Sequence, residues 1–290
     1  MDSISKTINN LISRMPRVDG STLKMVALVT MLIDHVGAGI LLFVIRAGVY
    51  PFGGTFKASA EVYEWIRHIG RQAFPIYCFL LTEGLIHTRS IPKYIRNLAI
   101  FGIISEPFFD LALKIKYEPF TRDIFTVYAA NKSILLHCRN VYVTLLTGLL
   151  VIWTMKLVED SFGGPLYFID GSDERNPFLA LLYFIPAAAG ALLAQYINSD
   201  YRWWGVVLIA IFFVFRNNRL LACFLGYIFF MNLGTEEWSL PAFLLIMLYN
   251  GKPGKINRKF KYVFYAFYPV HLALIYFSRT VLLTGILPQG

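Results

Sequence analysis

The feature that most constrains the fold of this chain is a succession of apolar segments. They fall at residues 22–45, 73–88, 97–113, 141–157, 178–197, 203–215, 219–233, 239–250 and 261–283. Segments of this length are typical of helices that cross a bilayer or nearly cross it. The sequence therefore predicts an all-α fold, a polytopic membrane helix bundle of about nine transmembrane helices, and a count of eight or ten also fits the pattern.

The composition favours the same class of protein. Hydrophobic residues make up 57% of the 290-residue chain and charged residues only 16%, whereas a soluble domain carries about 25% charged residues. The net charge of +9 is spread between the apolar segments, so it indicates cytoplasmic loops rather than affinity for nucleic acid. We therefore expect membrane lipids as partners and no nucleic acid.

The distribution of Lys and Arg predicts which side of the membrane each loop faces. The basic stretch at residues 251–261 is typical of a cytoplasmic loop, and nine crossings then put the N-terminus in the cytoplasm as well. Long polar connections at 46–70 and 114–139 would face outward, and the one at 158–177 inward. We expect a multi-pass protein of the cytoplasmic (inner) membrane without a cleaved signal peptide.

The first apolar segment carries Lys24 and His35 with ten residues between them. On a helix this spacing leaves the two side chains about 20° apart around the axis and about 16 Å apart along it. Lys24 would then mark the membrane surface and His35 its middle, where ionisable groups usually line a cavity or a pathway. The adjacent Asp34 belongs to the same functional-site hypothesis.

The identity of a carboxylate partner for His35 stays open at this stage. Neighbours in sequence point about 100° apart on a regular helix, so Asp34 cannot orient His35 by adjacency alone. Either Asp34 reaches it across a turn opened at Gly37 and Gly39, or the acid comes from another helix.

Further ionisable residues lie within or at the ends of the predicted spans, which favours one shared polar cavity. They are Arg67, Arg71, Glu83, His87, Glu106, Asp110 and His271. Structural roles compete with this interpretation: the two arginines can anchor a helix at the outer interface, and Glu83 can pair with His87. For His271, Pro269 can loosen the preceding turn and direct the imidazole inward, which makes it a catalytic candidate.

The cysteines predict no special chemistry. Cys78, Cys138 and Cys223 are widely spaced and form no ligand pattern with histidine, so the sequence predicts neither a disulfide framework nor a metal site. We expect them to be small packing residues.

Five stretches in order along the chain resemble one known family. They are LKMVALVTMLIDHVG, IRHIGRQAFPIYCFLLTEGLIHTRSIPKYIRNL, ISEPFFDLAL, RNVYVTLLTGLL and YNGKPGKINRKFKYVFYAFYPVHLALIY. Together they resemble the TraX family of conjugative pilin acetylases, and Lys24-x10-His35 resembles the basic-x10-His signature of the transmembrane acyltransferase superfamily. On this basis we divide the chain into a cytoplasmic N-terminal segment (1–22), a transmembrane acyltransferase-like domain (23–283) and a C-terminal tail (284–290).

The resemblance implies an integral membrane acetyltransferase that uses acetyl-CoA as co-substrate and needs no metal. His35 matches the catalytic histidine of the superfamily and Lys24 its cofactor-side cation. Arg67 and Arg71 resemble a cofactor-binding arginine pair, although related enzymes have two residues between the arginines and this chain has three. The implied acceptor is an amine or hydroxyl of a protein, such as a pilin N-terminus, or of an envelope glycan.

The spacing of the residues fits that chemistry. An extended pantetheine arm is on the order of the 16 Å helical rise from Lys24 to His35, so a nucleotide held at the membrane surface could present its thioester at the imidazole. His35 is suited to act as general base.

Other residues would assist this base. Asp34 or Glu83 could steady the imidazolium, and Arg71 or Asn140 could stabilise an oxyanion. Asn140 could equally be a helix cap. Direct transfer and transfer through an acyl-imidazole both fit the residues.

Two other functions remain open from the sequence. A proton-coupled transporter or flippase could use the acidic and histidine residues as a proton relay, although the sequence has no visible inverted repeat. A membrane-embedded assembly factor could keep the fold and lack the chemistry.

Overall fold

A computed structural model describes residues 17–115, 123–135, 137–162, 181–256 and 261–286 of the chain. Within these ranges every regular element beyond two isolated bridges is helical, so the predicted all-α class is confirmed. The helices are α1 (Gly20–Arg46), α2 (Phe56–Gly70), α3 (Ala73–His87), α4 (Ile91–Phe109), α5 (Ile124–Leu135), α6 (Val141–Ser161), α7 (Phe184–Tyr196), α8 (Arg202–Val214), α9 (Arg219–Phe230), α10 (Leu240–Met247) and α11 (Lys261–Ile286).

Several regions predicted from the sequence lie partly outside the described residues. They are residues 1–16 of the N-terminal segment, 116–122 and 136 of the predicted outward connection, 163–177 of the predicted cytoplasmic connection, 178–180 of the predicted span at 178–197 and 287–290 of the tail. The basic loop at 251–261 is described except for residues 257–260.

Several helices begin at a polar residue that caps the first turn. Asp19 accepts hydrogen bonds from the backbone N–H of Thr22 at 2.8 Å and from its hydroxyl at 2.9 Å. These bonds hold the pKa of Asp19 below its ordinary value. Thr55, Asn140 and Asn218 cap α2, α6 and α9 in the same way.

The predicted number of nine membrane crossings is not confirmed. Each predicted span coincides with a helix, but in the described part of the chain two helices are long and apolar enough to cross a bilayer, Gly20–Arg46 and Val141–Ser161. The α8 helix, for example, has 13 residues and measures about 20 Å, against about 30 Å for the hydrocarbon core. The helices therefore support membrane association without fixing a number of spans.

Two regions predicted as polar connections contain helices. Residues 46–70 include α2, and residues 114–139 include α5. The α2 sequence, FKASAEVYEWIRHIG, is too polar for an apolar-segment criterion to find. It nevertheless packs against α1, because Gly37 of α1 leaves space for the side chain of Ile66.

The helices pack around one continuous apolar core. Helix α1 lies against α2 and α3, α4 lies against α6 and α11, and α8 contacts α3, α6, α7 and α9. The buried side chains of this core include Leu23, Ile76, Leu149, Phe212, Ile246 and Leu272. The core therefore fixes α1 and α11, which carry the two candidate histidines, relative to the rest of the bundle.

Two π turns interrupt the regular helices near the candidate site. One spans Gly37–Leu41 within α1, and the other, Asp110–Lys114, continues α4. A Cβ atom at Gly39 would lie 2.5 Å from Cγ2 of Ile275 and 3.1 Å from the carbonyl oxygen of Ala112. The two π turns thus approach each other closely, and only glycine fits at this contact. The turn at Gly37–Leu41 is thus opened, but Asp34 and His35 precede it on the regular part of α1, so it does not bring the two side chains together.

Candidate functional site

The central contact of the site joins His35 on α1 to His271 on α11. Nδ1 of His35 lies 2.7 Å from Nε2 of His271, and Nδ1 of His271 lies 2.7 Å from the carbonyl oxygen of Phe267. A carbonyl oxygen can only accept, so Nδ1 of neutral His271 carries the proton and its Nε2 accepts. Nδ1 of His35 is therefore the donor. This assignment, made from the hydrogen bonds, leaves the lone pair of His35 on Nε2.

His35 lines a cavity of about 380 Å³, which is within the size range of small-molecule sites. Met31 and Tyr77 line the part of the wall nearest the N-terminal half of α1. On the opposite side the wall includes the exposed residues Asp200 and Gly234. We call this side of the bundle the cavity end, because the cavity meets the protein surface there.

Three ion pairs line the cavity and connect different elements. They are Arg67–Asp34 at 2.7 Å, Arg71–Glu236 at 2.9 Å and Lys114–Asp200 at 3.0 Å. Equal numbers of cations and anions make this group of side chains neutral overall. The cavity therefore offers both hydrogen-bond donors and acceptors beside His35 without concentrating one sign of charge.

Several charged atoms around this cavity have no hydrogen-bond partner within the described residues. They are Oδ1 of Asp34, Nε of Arg71 and Oε2 of Glu236. Buried polar atoms are nearly always hydrogen-bonded, so each exception calls for an explanation. A polar molecule bound in the cavity would supply the missing partners.

A close approach between α1 and α2 places the first ion pair. A Cβ atom at Gly70 would lie 2.1 Å from Oδ1 of Asp34, so only glycine allows the end of α2 to reach this carboxylate. The contact lets Arg67, one turn earlier on α2, bind Oδ2 of Asp34.

The loop between α7 and α8 is strained where it contributes to the cavity. Asn198 and Arg202 have positive φ angles of 53° and 46°, a conformation that is uncommon for residues other than glycine. Between them lie Asp200 and Tyr201, which line the cavity, and the ring of Tyr201 stacks on Phe74 with a centroid distance of 3.5 Å. Strain of this kind is often found at functional sites.

The sequence-predicted residues divide into two groups. His35, Asp34, Arg67 and Arg71 line the cavity, and His271 joins them through His35. The others lie outside the cavity wall, namely Lys24, Glu83, His87, Glu106, Asp110 and Asn140.

Lys24 and Glu83 are separated from the cavity. The wall on the side of Lys24 reaches Met31, and Leu23 and Ala27 are fully buried in the apolar core. Glu83 lies 3.7 Å from His87, as its structural interpretation predicted. Lys24 therefore lies outside this cavity, seven positions before Met31, the residue of α1 nearest to it in the wall.

Asn140 has the structural role that the sequence left open. Its Oδ1 accepts from the backbone N–H of Tyr142 at 2.9 Å, and its Nδ2 donates to the carbonyl oxygen of Gly102 at 2.8 Å. A further bond joins Nδ2 to Glu106. With its side chain fully buried in these contacts, Asn140 is a helix cap that ties α6 to α4.

The partner of His35 differs from the carboxylate that we expected. Asp34 points to Arg67 and Glu83 pairs with His87, whereas His271 occupies the position beside Nδ1 of His35. The alternation of apolar and ionisable residues could not show this, because the two histidines meet through the packing of helices at opposite ends of the chain.

Sequence reasoning missed several residues of the cavity wall. They are Asp200, Tyr201 and Glu236, together with Lys114 as a partner for Asp200. Glu236 and Asp200 lie in short connections between apolar segments, where acidic residues are ordinary. The only sequence signal for these residues was an acid in a short connection, which does not distinguish a cavity residue from an ordinary surface residue.

Comparisons with known proteins bear on this arrangement. The family described as TraX protein matches residues 19–279. The probable fimbrial assembly protein FimC, serogroup H1, of Dichelobacter nodosus is 25% identical over 273 residues, which cover 87% of this chain and 92% of that protein. No solved structure matches. The family match includes both histidines and every residue of the cavity wall.

Proposed function

The chain belongs to the TraX family, and from that premise we propose that it is an integral membrane acetyltransferase. It moves an acetyl group from acetyl-CoA to an amine or hydroxyl acceptor, which is a pilin or another protein N-terminus or an envelope glycan. The similarity to a probable fimbrial assembly protein favours a pilin or fimbrial subunit among these acceptors.

The observation that carries this proposal is the direction of the hydrogen bonds through the two histidines. Phe267 fixes the proton on Nδ1 of His271, His271 accepts from Nδ1 of His35, and Nε2 of His35 keeps a lone pair beside the cavity. A neutral imidazole held in one tautomer by a second residue is suited to general-base catalysis.

In the proposed reaction His35 transfers a proton in two steps. Nε2 of His35 takes the proton of the acceptor N–H or O–H while the acceptor atom forms its bond to the thioester carbonyl carbon. His271 steadies the imidazolium by accepting from Nδ1. When the carbon–sulfur bond breaks, Nε2 of His35 returns the proton to the sulfur, which leaves as the free thiol.

Arg67 and Lys114 would stabilise the negative oxygen that forms between these steps. Both cations line the cavity with His35, and each is held by an acid, Asp34 or Asp200, at 2.7 Å and 3.0 Å respectively. Preorganised donors of this kind typically contribute about 3–4 kcal/mol to lowering the barrier of acyl transfer.

The cavity has a volume of about 380 Å³, which suits the acyl end of the co-substrate together with an acceptor group. The nucleotide of the co-substrate would remain outside the cavity. We place the chain in the inner membrane with its N-terminus in the cytoplasm. The cavity end then faces outward, toward an envelope acceptor. The thioester arrives from the Lys24 side, where Met31 and Tyr77 must move to admit it.

Cysteine labelling tests this orientation. In a background with Cys138 replaced by serine, Gly234→Cys marks the exposed cavity end and Lys252→Cys marks the Lys24 side. In spheroplasts, which have lost the outer membrane but keep an intact inner membrane, a membrane-impermeant maleimide should label Gly234→Cys and leave Lys252→Cys unlabelled. The reverse pattern would show that the cavity faces the cytoplasm.

The activity itself is tested with the full-length protein in liposomes. Acetyl-CoA and envelope proteins or glycans from cells that lack the protein are added, and mass spectrometry looks for the mass of one acetyl group on the acceptor. We expect transfer by the wild type and by His137→Ala, a control at an exposed histidine, but not by folded His35→Ala.

Two results would contradict the proposal. Equal transfer by wild type and His35→Ala would exclude the imidazole as the base. Movement of a solute across the liposome membrane without release of free CoA would favour the transporter.

A further inference from the structure

Arg279 on α11 connects the two π turns of the protein. Its side chain is fully buried. Nη1 donates to the carbonyl oxygens of Gly39 at 3.0 Å and Ala112 at 2.8 Å, and Nη2 donates to that of Leu111 at 2.7 Å. One guanidinium therefore holds α1 and the end of α4 against α11.

The chemistry of arginine explains why this residue suits the contact. In a π turn a carbonyl oxygen accepts from the N–H group five residues ahead rather than four. The regular pairing of carbonyl oxygens with N–H groups is therefore interrupted. The planar guanidinium offers several donors in fixed directions, whereas the ammonium of lysine is a compact charge on a flexible stem. The ring of Phe43, with its centroid 3.9 Å from the guanidinium carbon, adds a cation–π contact.

The two π turns adjoin the residues of the cavity. The turn in α1 begins at Gly37, two positions after His35, and the turn that continues α4 ends at Lys114. Lys114 and His35 both line the cavity. The hydrogen bonds of Arg279 therefore fix the spacing between the segment that carries the base and the segment that carries a cation of the oxyanion site.

From these contacts we propose that Arg279 is a positioning residue, which sets the distance between His35 and Lys114 by bridging the two π turns. The inference rests on the proposed function, in which His35 is the reacting base. Arg279 itself contacts neither the cavity nor a substrate: it acts through the backbone of Gly39, Leu111 and Ala112.

The test replaces the guanidinium and keeps the charge. We expect Arg279→Lys to lower kcat on the order of 10- to 100-fold, the size of effect produced by displacing a catalytic group by up to about 1 Å. KM for acetyl-CoA should stay near the wild-type value, because the proposed function puts the nucleotide on the Lys24 side, whereas Arg279 binds the π turns that follow His35 on α1 and end at Lys114. The matched control is Arg216→Lys, at a largely buried arginine that binds Glu159 outside the cavity wall, and it should keep the wild-type kcat.

A second measurement does not depend on acetyl transfer. Diethyl pyrocarbonate modifies unprotonated imidazole nitrogens, and mass spectrometry follows the rate at each histidine of the full-length protein. We expect Arg279→Lys to change the rate at His35, and the rate at the exposed His87 should stay the same. If the wild type transfers no acetyl group, the proposed function fails, while this comparison still tests Arg279.

The outcomes decide the proposal in each case. Folded Arg279→Lys with wild-type kcat and wild-type His35 reactivity overturns it. If Arg279→Lys does not fold, Gly39→Ala separates the same two π turns from the α1 side, because its Cβ would meet Ile275 and the Ala112 carbonyl oxygen. Folded Gly39→Ala with altered His35 reactivity supports the proposal, and unaltered reactivity overturns it.

Discussion

Two ion pairs in this protein are nearly identical in kind and differ in their surroundings. Arg71–Glu236 and Arg216–Glu159 have N–O distances of 2.9 Å and 2.6 Å. The exposed fractions of the two glutamates are 2% and 3%, and both arginine side chains are 15% exposed. Burial, residue type and distance therefore do not distinguish the pair beside the candidate site from the other.

The difference lies in the second oxygen of each carboxylate. Oε1 of Glu159 accepts from the hydroxyl of Tyr183 at 2.5 Å while Oε2 binds Arg216. Oε2 of Glu236 has no partner within the described residues, and this residue lines the cavity. A satisfied buried pair holds helices together, whereas an unsatisfied pair beside a cavity is available to a ligand.

The largest effect is expected from a substitution in the satisfied pair, Arg216–Glu159. Glu159→Ala leaves Arg216 without its carboxylate and should lower the free energy of unfolding by about 3–5 kcal/mol. Activity per folded molecule should stay at the wild-type level. Denaturant unfolding in detergent and acetyl transfer by the folded fraction measure the two quantities.

The matched variant Glu236→Ala should lose acetyl transfer as well as stability. It leaves Arg71 without its carboxylate, as Glu159→Ala leaves Arg216, and it also removes a group that lines the cavity. The comparison fails if both variants lose stability and activity in the same proportion.

A smaller effect tests the connection between the two histidines. His271→Ala removes the acceptor for Nδ1 of His35 and, with it, a hydrogen bond to a group that becomes charged in the proposed reaction. Such bonds contribute about 1.5–3 kcal/mol, so kcat should fall on the order of 10- to 100-fold. Single-turnover kinetics with His271→Ala and His271→Gln measure the loss, and wild-type rates in both variants would exclude the role of His271.

The smallest effect concerns the opposite end of α1, where Asp19 caps the helix. Hydrogen bonds from Thr22 lower the pKa of Asp19 in the folded protein. The charged cap therefore stabilises the fold above the ordinary carboxyl pKa of about 4, and this contribution is lost as the pH falls through the lower, folded value. Asp19→Asn should unfold at a slightly lower temperature than the wild type near neutral pH.

The difference in unfolding temperature between Asp19→Asn and the wild type should shrink as the medium is acidified. Thermal unfolding across the acid range measures it. A difference that does not depend on pH would show that the charge on Asp19 has no part in the cap. Acetyl transfer should be unaffected, because Asp19 lies outside the cavity wall.

The sequence predicts the parts of this structure that depend on local pattern. Apolar segments indicate where helices form. His35 and Asp34 stand out because they are ionisable residues inside such a segment. The helix α2 escapes this reasoning because its sequence is polar. Its position depends instead on the contacts that Gly37 and Gly70 allow with Ile66 and Asp34.

The residues that complete the site depend on contacts between distant parts of the chain. His271 lies 236 positions after His35, and Lys114 lies 86 positions before Asp200. No local period relates such positions. Lys24 shows the converse: it lies on the same helix as His35 at the predicted spacing, but it is not part of the cavity wall.

The unequal lengths of the helices have a consequence for the surrounding lipid. Helix α1 has 27 residues and is about 40 Å long, whereas α8 has 13 residues and is about 20 Å long. The helix α7 also has 13 residues and carries exposed apolar side chains such as Phe184 and Leu192. A bilayer in contact with them would become thinner there to cover them. The loop that follows α7 carries Asp200 and Tyr201 of the cavity wall, so thinning at α7 would bring the headgroups nearer to the cavity.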